Sequence, residues 1–163
     1  MEKIMRFSQY QYLCRHMFET DDTGNIRQHY NSVEAELLPP LVLAYIGDAY
    51  FHLFVRTRLL LFEKNKVQVL NDFGAKIVSA VYQAYAYKNL KEELTLQERD
   101  IFRRAYNAKS HAPRAASIAD YHTSTGIEAI IGYLQLTDNT VRLNKLCERA
   151  FQLIIKKIEQ EYL

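Results

Sequence analysis

Apolar residues along this chain recur at helical spacing, and strand-like alternation persists nowhere. Met5, Tyr10, Leu13, Met17 and Phe18 predict a short amphipathic helix over residues 5–18, and the polar run ETDDTGNIRQHYNS (19–32) predicts a loop. Pro39 and Pro40 open the most apolar stretch, LVLAYIGDAYFHLFVRTRLLLF (41–62). Proline is tolerated in a helix's first turn, so a buried helix is expected here. Asp48, His52, Arg56 and Arg58 inside it argue against a membrane span, where central charges are costly. A stripe of Leu70, Phe73, Ile77, Ala80, Val81 and Ala84 predicts one helix over 67–90.

Thr95, with Gln97 and Glu98 in the following turn, starts a helix that ends near Asn107. AKSHAPRAASIAD (108–120) is expected to be a loop, broken by Pro113, and residues 122–136 a short helix around Glu128. Asp138 is the expected cap of a last helix running to about Gln160, with Leu143, Leu146, Ala150, Ile154 and Ile158 on one face. The class is all-α, with about seven helices. The polar loop suggests an N-terminal extension over 1–36 and a main domain over 37–163.

Charge changes this picture only locally. Residues 1–50 hold four Lys/Arg against seven Asp/Glu, residues 51–120 twelve against seven, and residues 121–163 five of each. A basic middle suits an acidic partner such as nucleic acid. Cys14 and Cys147 make no ligand pattern and read as free thiols in a reducing compartment; with no apolar leader segment, a cytoplasmic location away from membranes is expected.

Two acids stand where acids are expensive. Asp48 is flanked one turn away by Ala44, Tyr45, Phe51 and His52, and Glu128 lies in the apolar run STGIEAIIGYL. A buried carboxylate needs a base, a hydrogen-bond network or a metal ion. Two of them on two core helices could converge on one Mg²⁺, or each could be paired with a base such as Arg56 or Arg58. Gly132, one turn after Glu128, leaves room for a helix or ligand to approach that face. The run RRAYNAKSHAPR (103–114) holds Arg103, Arg104, Lys109 and Arg114 with no acid, plus Asn107, Ser110 and His111. Such a run either tracks a phosphate backbone or simply offsets a helix dipole. The five histidines lack metal-motif spacing, and a Ser110/His111/Asp120 triad has only its residue types in its favour.

LAYIGDAYFHLFVR (43–56), VSAVYQA (78–84), RRAYNAKS (103–110) and YHTSTGIEAIIGYLQL (121–136) together resemble, in order and spacing, the ribonuclease III family and specifically its Mini-III branch. The resemblance extends over roughly residues 38–160. Full-length ribonucleases III carry a Glu where this chain has Ala44 and an Asp where it has Thr125; the Mini-III branch also lacks both. His52 stands where the branch leads one to expect a glutamate, and Asn71 where a histidine is expected.

The resemblance implies a helical catalytic domain without the double-stranded RNA-binding domain of full-length members, acting as a symmetric homodimer. It implies Mg²⁺-dependent endonucleolytic cleavage of double-stranded RNA, with precursor 23S ribosomal RNA as substrate and 5′-phosphate and 3′-hydroxyl ends as products. Asp48 and Glu128 are then the catalytic and metal-binding carboxylates. Arg103, Arg104, Asn107, Lys109, Ser110 and Arg114 are the expected RNA contacts. A ribosomal protein that presents the RNA is a further candidate partner. The rival expectations are an inert ribonuclease III-like module that binds RNA during ribosome assembly, and a helical interaction protein with no RNA role.

Overall fold

The two most apolar segments of the chain become its two central helices. In a computed structural model, which describes residues 2–17, 20, 22–24, 30–109 and 117–162, they are α3 (Pro40–Leu59) and α7 (Ile118–Leu136). Around them lie α1 (Glu2–His16), α2 (Ser32–Leu37), α4 (Val67–Ile77), α5 (Ala80–Leu90), α6 (Leu96–Tyr106) and α8 (Thr140–Tyr162), with a 3₁₀ turn at Lys91–Glu93. No strand occurs among the described residues, so the all-α expectation holds, with eight α-helices in place of about seven. Leu43, Phe51 and Val55 of α3 meet Ile127, Ile130, Ile131 and Leu134 of α7 in a core that excludes water.

Two glycines set how closely the central helices cross. A Cβ on Gly47 would lie 1.7 Å from the carbonyl oxygen of Glu128, and one on Gly132 would lie 1.9 Å from that of Leu43. The backbones therefore touch, and any side chain at either position would force them apart. The room anticipated beside Gly132 is taken by a helix. A similar constraint holds at Gly126, where a Cβ would lie 2.4 Å from the ring of Phe102 on α6.

The predicted single helix over 67–90 is two. Val78 closes α4, its amide donating to Gly74 O, and Ser79 has the extended backbone of an N-cap (ψ 151°) before α5 begins. The local sequence carries no proline, so the break comes from packing. The buried Gln83 side chain donates to Val78 O at 2.9 Å, satisfying a carbonyl left over where α4 ends. Ile77 and Ala84 stay buried on either side of the bend, whereas Val81 is half exposed.

α7 begins one turn earlier than expected, because Ser117 accepts from the Asp120 amide at 3.0 Å and serves as its N-cap. Asp138 does not stand at the N-cap position of α8, which falls to Asn139. Asp138 occupies a left-handed turn (φ 54°), which aspartate tolerates better than most residues, and α8 begins two residues later. The α8 face is as predicted: Leu143, Leu146, Ala150, Ile154 and Ile158 are all buried. The helix expected to start at Thr95 does so, and Thr95 and Glu98 close it with a capping box. Glu98 then does something the pattern did not reveal: almost fully buried, it takes two 2.7 Å hydrogen bonds from Arg142 of α8. At the N-terminal side, Tyr30 N donates to Leu136 O at 3.0 Å and Ala35 is completely buried, so α2 packs on the core. The described side chains of α1 from Arg6 onward are exposed.

Candidate active site

The α3–α7 crossing puts Asp48, the residue after Gly47, beside the turn of α7 that carries Glu128. The two acids have different surroundings. The Asp48 side chain is 53% exposed, with His52 Nε2 at 3.3 Å one helical turn away. The expectation that Asp48 is buried is therefore corrected. Its helix reads as apolar all round because Leu41, Val42, Tyr45 and Leu53 lie exposed on the outside of α3. Of the two, Glu128 is the one largely buried. Burial, with the nearby negative charge of Asp48 adding to it, pushes its carboxyl up to about 8 against a hydrogen bond from Gln83 that pulls the other way.

Among the described residues no Lys or Arg forms an ion pair with either carboxylate, so pairing with Arg56 or Arg58 is not how they are satisfied. Arg58 is engaged by Glu148 of α8 instead. Gln83 Nε2 donates to Glu128 Oε1 at 2.8 Å as well as to Val78 O. Because Val78 O can only accept, the amide cannot flip. Its Oε1 is buried and accepts no hydrogen bond. Gln83 thus reaches Glu128 from a third helix, and only because α4 and α5 are bent apart. It lies within VSAVYQA, but helix spacing alone gave no reason to single it out: a buried glutamine on an apolar face is the one available signal.

The positions where full-length ribonucleases III carry further acids are closed here. Ala44 is buried, and Thr125 turns its hydroxyl onto its own helix, donating to Tyr121 O at 2.9 Å. Among the described residues no group of three or more His, Cys, Asp or Glu is arranged to hold a metal. Two carboxylates alone suit a hard cation that keeps most of its shell as water, such as Mg²⁺. His52 and Asn71, the two departures from the Mini-III expectation, come together: both line one cleft of about 60 Å³ between α3 and α4.

The expected RNA contacts divide. Arg103 is highly exposed and pairs with Asp100 at the solvent edge, while Asn107 ends α6 with its Nδ2 donating to Arg103 O at 2.9 Å. Arg104 is a strut: its guanidinium donates to Glu36 O at 2.9 Å and ties α6 to α2. Lys109 is exposed. Ser110, His111, Pro113 and Arg114 lie outside the described residues.

Residues 41–139 match the family model described as the ribonuclease III domain. The chain is 45% identical over 120 residues to Mini-ribonuclease 3 of Symbiobacterium thermophilum, covering 72% of this chain and 91% of that protein. It is 33% identical over 138 residues to Mini-ribonuclease 3 of Clostridium tetani, covering 82% and 90%. An X-ray crystal structure of a Fusobacterium nucleatum protein superposes with a TM-score of 0.66 at 30% identity, covering 78% of this chain and 98% of that one. With its fold, its four motifs and these relatives in agreement, the chain belongs to the Mini-III branch of the ribonuclease III family and is an endoribonuclease.

Proposed function

We propose that this endoribonuclease cuts double-stranded RNA in precursor 23S ribosomal RNA, as a Mg²⁺-dependent homodimer in the cytoplasm, and leaves 5′-phosphate and 3′-hydroxyl ends. One observation carries the reading: Glu128 is a largely buried acid with no Lys or Arg paired to it among the described residues, held by Gln83 and facing the charge of Asp48. Without a cation such an acid keeps its proton near neutral pH, and a cation seated between it and Asp48 would displace that proton and offset both charges. Asp48 and Glu128 would hold that cation, and the unpartnered buried Gln83 Oε1 suits a water donor of a hydrated ion. When bound, the ion supplies charge neutralisation at the scissile phosphate and makes water a better nucleophile.

The chain's own residues do the positioning. Gln83 fixes one oxygen of Glu128 and leaves the other for the cation, while His52 restrains Asp48 from the next turn of α3. Arg103, Asn107 and Lys109, with Ser110, Arg114 and the more constrained Arg104, supply contacts to phosphates and 2′-hydroxyls, the features by which A-form RNA is read.

The homodimer reading is supported by the outside of α3. Val42, Tyr45, Ala49 and Leu53 follow helical spacing on an exposed face, next to an apolar groove of about 410 Å³ lined by Tyr50, Phe54 and Leu61. Contiguous apolar surface of this kind marks an interface. Asp48 lies on the same helix, so two copies meeting there would bring two centres to one duplex. No helix among the described residues is long and apolar enough to cross a membrane.

The test incubates the protein with structured ribosomal RNA precursor in Mg²⁺, in EDTA, and with Glu128→Gln in Mg²⁺. Arms with and without bound ribosomal proteins ask whether a protein must present the RNA. Cutting in Mg²⁺ alone, by wild type alone, is expected. Cutting in EDTA, or none by wild type in any Mg²⁺ arm, overturns the reading.

A further inference from the structure

A second, larger concavity is lined by neither of the two carboxylates. It measures about 550 Å³ and opens between α5, the 3₁₀ turn, α6 and the start of α7. Three rings form its aromatic wall: Tyr87 lies parallel on Phe102 at 3.8 Å between centroids, and Tyr106 continues the series 5.9 Å from Phe102. Gly126 anchors the series, because the Phe102 ring rests where its side chain would be. Phe102 itself is buried, and Tyr106, which also meets the His122 ring at 5.6 Å, is 36% exposed and carries the series to the surface.

The charged rim is unequal in its commitments. Arg99 is taken up by Glu92 and by the carbonyls of Leu94 and Glu92, and Arg103, already assigned to the duplex backbone, pairs with Asp100. Lys88 and Lys91 are exposed, three residues apart on one face, and paired with no carboxylate among the described residues. The groove thus combines an aromatic wall with two uncommitted cations.

That combination selects among ligands. A surface that only follows a duplex backbone needs cations and no rings, because paired bases are stacked on one another. Aromatic side chains beside a cationic rim are how a base outside the duplex is held, its face on a ring and its phosphate on a lysine. The volume is in the range of sites for small organic ligands. Thr123 of α7 lines the groove and Glu128 lies five residues further on, about 7.5 Å along the helix and roughly 140° around it. Thr123 therefore lies on a different face of α7 from Glu128, while Tyr87 follows Gln83, the partner of Glu128, by one turn of α5, so the groove adjoins the carboxylates and takes a nucleotide next to the one being cut.

We infer that this groove binds one unpaired nucleotide flanking the RNA duplex, with its base against Tyr106 and Tyr87 and its phosphate on Lys88 and Lys91. The inference rests on the reading of the protein as a double-stranded ribonuclease and adds a specificity element to it: duplexes with a dangling or looped-out nucleotide are preferred over blunt ones.

Fluorescence anisotropy tests it with a blunt RNA duplex and the same duplex carrying one unpaired adenosine at its 3′ or its 5′ end. Wild-type full-length protein is used in EDTA, where the RNA stays intact. One tailed duplex is expected to bind about tenfold tighter than the blunt one, a single base's worth of aromatic stacking. That ratio should fall to about one in Tyr106→Ala and in the double variant Lys88→Glu/Lys91→Glu, and survive in Tyr106→Phe. Melting temperatures confirm that each variant is folded. Equal affinities for all three duplexes in wild type, or a ratio unchanged in the variants, overturn the inference. So does an equal loss for blunt and tailed RNA, since the lysines would then follow the duplex backbone. Failure of the activity reading is distinguishable, because it appears as absence of cleavage of blunt duplex in Mg²⁺.

Discussion

Glu98 and Glu128 are both inward-facing carboxylates on core helices, and they meet opposite fates. Glu98, on α6, is gripped by Arg142 through two hydrogen bonds and by the backbone of Thr95. Burial works to raise its carboxyl, but Arg142 and Thr95 outweigh it, and the group is held below its ordinary value. Glu128, on α7, has an amide and a second carboxylate for neighbours, and its carboxyl is pushed up to about 8 by burial and by Asp48. The difference teaches that burial of an acid says little about its role, whereas its partner says a great deal. A base beside it makes a strut between helices; a second acid beside it leaves a charge deficit, which the proposed cation would fill.

Four substitutions or conditions sharpen this contrast. The largest effect is expected for Asp48→Asn. Cleavage in Mg²⁺ should fall by roughly three orders of magnitude while the melting temperature stays near wild type, because the side chain is half exposed. Cleavage kinetics and calorimetry read this pair of outcomes, and a folded variant that still cuts at wild-type rate breaks the comparison. Glu98→Gln should do the reverse. Breaking a buried pair whose base is partly exposed costs about 2–3 kcal/mol, so melting should fall by about 5–10 °C with little change in cleavage per folded molecule.

Gln83→Leu is expected to weaken Mg²⁺ binding about tenfold by titration calorimetry, as the loss of a residue that orients a metal-binding carboxylate does. An unchanged affinity would reduce Gln83 to a partner for Val78 O. The smallest effect is in pH. Folded Glu128 keeps its proton up to about pH 8, whereas in the unfolded chain it ionises near 4.5. The folded state therefore binds more protons across that window, and stability in EDTA should decline as pH rises through it. Glu98 acts oppositely: its contribution is complete above the ordinary carboxylate value and is lost on acidification through its lowered folded value. Thermal melts across pH in EDTA should show both arms, and Glu128→Gln should remove only the upper one.

The helical class, the buried face of α8 and the start of α6 at Thr95 were all legible in the residue pattern, because each depends on neighbours one turn away. The break at Val78 and Ser79 was not, since no glycine or proline marks it and its carbonyl is satisfied by a side chain five residues on. The four motifs singled out Asp48 and Glu128, but their unequal burial depended on which side of α3 is covered by other helices. Periodicity shows that a helix has an apolar side; it cannot show that two sides are apolar for different reasons.

By itself, then, the sequence determined that the chain is helical, that it carries the ribonuclease III motifs, and that two acids stand in apolar company. Only the tertiary structure decided that Gly47 and Gly132 let α3 and α7 touch, that Gln83 arrives from α5 to hold Glu128, and that Glu98 is buried against Arg142. The physical reason is separation along the chain. Helix formation and capping are settled within a few residues, while a carboxylate's charge is settled by groups that only the fold brings beside it.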